Sequence, residues 1–91
     1  MAELNHYESV RKEIVRRLRE ERLRRKLSNY AVAQNSGVSE SMLSLVERGL
    51  RNPTMELLLR VADGIGVDLA DVVKRAQAVV SKKAVKARRA S

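Results

Sequence analysis

"SNYAVAQNSGVSESMLSLVE", residues 28–47, holds two short helical patterns separated by a single glycine. Ser28 is placed to cap the first pattern, which carries Val32 and Ala33 on one face and stops at Gly37. Ser39 is placed to cap the second, where Met42, Leu43 and Val46 recur at helical spacing before Gly49 closes it. Two helices joined by so short a turn must cross steeply. The residue that ends the first needs a left-handed backbone, which glycine adopts without steric cost. The crossing also needs a small residue on the first helix, and Ala33 stands four before Gly37. The apolar Val32, Val38, Leu43 and Val46 would fix the pair to a surrounding domain. Glu40, Ser41, Ser44 and Leu45 then occupy the outward face of the second helix.

The flanking sequence supplies that domain. "NHYE" offers Asn5 as an N-cap with Glu8 three residues later, and Val10, Ile14, Leu18 and Leu23 make a helical stripe through an arginine-rich first helix ending near Lys26. After residue 49, "RNPT" forms a turn: Pro53 forbids a continuing helix and Thr54 caps the next. That fourth helix carries Leu58, Val61, Ala62 and Ile65 inward and ends near Gly66. Asp68 caps the fifth, whose Leu69, Val72, Val73, Ala76, Val79 and Val80 continue at helical spacing into the tail "SKKAVKARRAS". The tail's like charges predict helical order fading after Val80. No period-2 strand pattern occurs. The fold class is all-α with five helices, divided into an N-terminal extension (1–15), a central domain (16–73) and a basic C-terminal extension (74–91).

Composition narrows the partner. A chain of 91 residues supports one core, and with 44% hydrophobic residues but only Tyr7 and Tyr30 as aromatics that core is aliphatic. The absence of cysteine leaves no disulfide or thiolate metal site and suits a reducing cytoplasm. No apolar run reaches membrane-spanning length, so no membrane partner is expected. The net charge of +8 points to a polyanion, but unevenly. Residues 10–26 carry nine Lys/Arg against three Glu, and residues 74–91 carry seven Lys/Arg and no acid. Residues 27–73 hold three Arg against six acids, so the opening stretch is not itself basic. The first helix's arginines read equally well as a solvated face. His6 is the only histidine, and no nucleophile–base set, carboxylate pair, metal cluster or phosphate loop is present. No enzymatic activity, metal or cofactor is expected.

An outward-facing helix behind a tight turn fits the major groove of B-DNA, although an ordinary αα-hairpin would show the same local pattern. A longer run of matches favours the first reading. Arg22, Leu27-Ser28, Val32-Ala33, Gly37-Val38-Ser39, Glu47-Arg48-Gly49, Arg51-Asn52-Pro53-Thr54 and Ile65-Gly66-Val67, in this order and spacing, resemble the lambda-repressor-like, Cro-type helix-turn-helix family over about residues 16–73, with the motif at about 29–48. The resemblance implies that Ser39, Glu40, Ser41, Ser44 and Leu45 face bases. It implies that Asn29, standing where the family has a glutamine, and Arg48, Arg51 and Asn52 in the following loop face phosphates. It also implies a buried ion pair between Arg22 and Glu47. Glu40 departs from the family's frequent Arg, Lys or Gln and suits selectivity more than affinity. Gly64 stands where alanine is the more usual helix residue, at a cost of about 1 kcal/mol.

The expected function is sequence-specific binding of double-stranded DNA by a homodimeric transcriptional regulator, a repressor or controller protein on a palindromic operator. Val72, Val73, Ala76, Val79 and Val80 are the expected dimer contact. The alternative is a protein-interaction module on the same fold, with a toxin or another regulator as partner, supported by the acidic balance of residues 27–73 and by Glu40.

Overall fold

The computed structural model describes the backbone of residues 5–90 and the side chains of residues 5–83. Residues 1–4 of the N-terminal extension, residue 91 and the side chains of 84–90 in the basic tail lie outside the described residues. The order is α1 (His6–Arg24), α2 (Asn29–Ser36), α3 (Glu40–Glu47), α4 (Met55–Ile65) and α5 (Leu69–Ala90), with no strand among the described residues.

Every helix starts where a side-chain oxygen takes up an orphan amide. Asn5, Ser28, Ser39 and Thr54 accept from the amides of Glu8, Ala31, Met42 and Leu57 at 2.8, 3.0, 2.9 and 3.1 Å. Asp68 accepts from the Ala70 amide at 3.1 Å. The helix ends differ. α2 stops at Gly37, whose φ of +70° turns its N–H back to the Ala33 carbonyl at 2.9 Å. α1 has no glycine available, and Lys26 takes the left-handed conformation instead, at φ +57°. α5 runs on to Ala90 rather than fading after Val80. Alanine, lysine and arginine are good helix formers, and cations near a helix C-terminus meet its dipole favourably, which offsets part of their mutual repulsion.

One aliphatic core joins all five helices: Ile14 and Leu18 of α1, Val32 of α2, Leu43 of α3, four residues of α4, and Leu69, Val72 and Ala76 of α5. It takes in Ile14 and Ala76, so the core reaches beyond residues 16–73 at both ends. The end of α1 lies beside the start of α5, and Glu13 lies near Lys83, so the two helices run antiparallel and their extensions cover one another. This bears on the residues expected at a dimer contact. Val72 and Ala76 are buried within one chain, at 6% and 0% exposure, because the lengthened α1 packs on them; Val73, Val79 and Val80 are half-buried. Leu23, expected in the apolar stripe, is exposed, and Arg22 takes the inward position four residues after Leu18.

Glu13 is buried on the α1 face that meets α5, with Arg16 Nη2 at 2.5 Å and Arg17 Nε at 3.2 Å. The Arg16 hydrogen bond holds its carboxyl below the usual range against the opposing cost of burial, and the Arg16, Arg17 and Lys83 charges add to the lowering. A depressed folded-state pKa gives stability that is full above the unfolded value, about 4.3, and is lost as pH falls through the folded value. Glu13→Gln should therefore lower the melting temperature at pH 7, with the gap to wild type narrowing on acidification below about pH 4.

Gly64 has a packing reason. A methyl group there would meet Ser36 Cβ at 3.0 Å and the Val32 carbonyl oxygen at 3.1 Å, so the glycine lets α4 close on α2. Asn35 Nδ2 donates to the Gly64 carbonyl across the same contact at 3.3 Å. Gly64→Ala gains about 1 kcal/mol of helix propensity but incurs about 1–3 kcal/mol of overpacking. A net loss of about 1 kcal/mol in denaturant titration is expected; a gain would show that α2 moves aside freely.

Candidate nucleic-acid interface

The turn between α2 and α3 comprises Gly37, Val38 and Ser39. Val38 packs against the core, while Val32 and Leu43, at 0% and 2% exposure, anchor the two helices from within. Ala33 is buried, and Ser36 Oγ donates to the Val32 carbonyl at 2.6 Å instead of presenting a polar group to the crossing. Arg60 of α4, held by Glu56 at 3.1 Å, points Nη1 at the Ser36 carbonyl at 3.5 Å, where α2 leaves its last carbonyls without helix partners. The pair is thus locked from below by α4.

What the lock leaves outside is one face of α3. Ser39, Glu40 and Ser41 are exposed, and Ser44 and Leu45 are half-buried behind them. Glu40 makes no ion pair among the described residues. The face offers hydroxyl donors and acceptors and one carboxylate acceptor, a set able to meet base edges.

The rear of α3 is tied to α1. Arg22 donates from Nε and Nη2 to the two carboxylate oxygens of Glu47, each at 2.9 Å, a bidentate pair with side chains 10% and 11% exposed. Its Nη1 donates to the Leu27 carbonyl at 2.8 Å, just before the Ser28 cap. One guanidinium therefore fixes both the end of α3 and the loop that launches α2. Arg19 also approaches Glu47, at 3.4 Å, from a more exposed position.

Asn29, Arg48, Arg51 and Asn52 come together on the wall of a groove of about 680 Å³ between α1 and the loop after α3. Arg48 and Arg51 are exposed and have no carboxylate partner among the described residues. Asn29 is half-buried, and its Oδ1 is shielded from solvent without a hydrogen-bond partner among the described residues. The opposite wall comes from α1, through Arg11, Lys12, Arg16 and Arg19. The sequence leaves these cations open between a solvated face and a binding surface. Their spacing along α1 marks a common side, but only the fold shows that this side looks toward residues 48–53.

Among the described residues, no group of three or more His, Cys, Asp or Glu side chains gathers to hold a metal, and no helix is long and apolar enough to cross a membrane. Residues 18–72 match the family model described as Helix-turn-helix. A stretch of 54 residues is 43% identical to a protein of Sinorhizobium fredii named as an uncharacterized HTH-type transcriptional regulator, covering 57% of this chain and 70% of that relative.

Proposed function

This chain belongs to the helix-turn-helix family of lambda-repressor-like type, and from that premise we propose that it is a homodimeric repressor or controller protein that reads a palindromic DNA operator. The observation that carries the reading is the pairing of two unlike surfaces. The exposed face of α3 bears Glu40 and Ser41, suited to base edges, and beside its C-terminal end Arg48 and Arg51 stand without carboxylate partners among the described residues. In this reading Ser39, Glu40, Ser41, Ser44 and Leu45 discriminate bases, while Asn29, Arg48, Arg51 and Asn52 hold phosphates. Such a protein works in the cytoplasm, where a bacterial or phage operator lies, and needs no cofactor and no catalytic group.

One domain covers a half-site, and two recognition helices about 34 Å apart give a dimer its affinity. With Val72 and Ala76 committed to the core, the dimer contact in this reading falls to the half-buried Val79 and Val80 and to exposed apolar side chains, Met55 and Leu59, one turn apart on α4. Selection of bound sequences from random duplex DNA, with sedimentation of the free protein, tests the reading. A palindromic consensus and a dimer are expected. Absence of any preferred sequence would favour the interaction module, for which the exposed carboxylate of Glu40 and the acidic balance of residues 27–73 are the supporting observations.

A further inference from the structure

We infer that the α1 wall of the basic groove is a second phosphate-binding surface, by which the lengthened first helix grips the DNA backbone outside the recognition motif. This rests on the DNA-binding reading above and extends it to residues with no counterpart in the motif.

Charge gives the first reason. Most arginines of α1 are neutralised locally: Arg16 by Glu13 and Glu20, Arg17 by Glu13, Arg24 and Arg25 by Glu21, and Arg22 by Glu47. Arg11 and Lys12 have no carboxylate within ion-pair distance among the described residues. They line the groove that Arg48 and Arg51 line from the other side. A helix that pairs its other cations and leaves these two facing more unpaired cations carries a repulsion that an anion would relieve.

Shape gives the second reason. The α1 residues that line the groove run from Arg11 to Arg22, a rise of about 16 Å. A DNA strand carries a phosphate every ~3.4 Å of helix axis, so a wall of this length spans several. A compact anion would leave most of the wall unused. The groove also includes Asn29 at the start of α2, so the surface is continuous with the phosphate contacts already proposed.

The test uses the full chain on the selected operator and on a random duplex, titrated at several salt concentrations. Arg11→Gln with Lys12→Gln should weaken both duplexes by the same factor and reduce the salt slope by about 1.8, that is ~0.9 per contact, with the operator-to-random ratio unchanged. Lys74→Gln with Lys82→Gln removes the same charge from exposed positions on α5 away from the groove, and should leave the slope near that of wild type. Arg11→Lys with Lys12→Arg keeps the charge and should keep the slope. Since Lys12 is exposed, Lys12→Gln alone serves if the double variant folds poorly, with half the change expected. An unchanged slope in the groove variants, or an equal change in the α5 control, overturns the inference. Those outcomes leave wild-type binding intact. A wild-type protein that binds neither duplex at low salt overturns the DNA-binding reading itself.

Discussion

Arg22→Ala is expected to lower folding stability by about 3–5 kcal/mol, whereas Arg19→Ala should change it by less than about 1 kcal/mol. Both arginines reach Glu47, so the contrast isolates burial. Arg19 is 53% exposed and meets one oxygen at 3.4 Å; solvent screens it and replaces it at little cost. Removing Arg22 leaves a carboxylate that is 11% exposed without its bidentate partner, and leaves the Leu27 carbonyl without its donor. For a domain of this size each kcal/mol shifts the melting temperature by roughly 4–8 °C, so the variant should melt tens of degrees lower. Replacing both members by apolar residues, Arg22→Met with Glu47→Leu, should recover much of the loss, because no buried charge then remains unpaired. Equal, small effects of the two single alanine substitutions would show that Arg22 belongs to the solvated face. The pair also has a positional consequence. It holds the end of α3 and the residue before the Ser28 cap through one side chain, so a destabilised but folded Glu47 variant should lose DNA affinity beyond the fraction unfolded.

The features that were legible in the sequence are those written in local chemistry. Five caps, the left-handed glycine at position 37 and the apolar faces of α3 and α4 depend on residues within one or two turns, and the structure places them as the spacing predicts. The Arg22–Glu47 contact spans 25 residues and came from resemblance, not from periodicity. Periodicity instead put Leu23 inward, because it counts apolar side chains and overlooks an arginine whose partner is buried elsewhere. Gly64 looked like a weak helix position until α2 was seen 3.0 Å from its missing methyl. The same limit explains the groove. Lys12 and Arg51 are ordinary surface cations along the chain, and only the packing of α1 beside the loop after α3 sets them on one surface. The same limit bears on α5: its apolar positions suggested contact with a second copy, and only the packing reveals that the lengthened α1 of the same chain covers Val72 and Ala76.

On DNA, the substitutions should separate into two kinds. Residues 27–73 are net acidic and α3 itself carries no cation, so the recognition helix cannot be the chief source of phosphate attraction. In the proposed reading that attraction comes from Arg48 and Arg51 beside it, and from the basic residues of 74–91 where they reach the duplex. Arg51→Ala removes an exposed cation with no partner among the described residues, and should weaken operator and random duplex together while flattening the salt slope by about 0.9. Ser41 and Glu40 should behave in the opposite way. A well-made base contact discriminates by about 1–3 kcal/mol, roughly five- to 150-fold, and phosphate attraction does not depend on it. Ser41→Ala should therefore weaken the operator with random DNA unchanged. Glu40→Ala should relax preference at one base pair, where the carboxylate accepts from a cytosine amino group. It should also tighten non-specific binding, since a negative charge beside the backbone is lost. The sign of that last change is the sharpest discriminator, because a merely structural role for Glu40 predicts weaker binding everywhere. Titrations on two duplexes at several salt concentrations measure all three variants. An operator-to-random ratio unmoved by both Ser41→Ala and Glu40→Ala would mean that α3 is not the reader, and the interaction module would then be the better account of its exposed face.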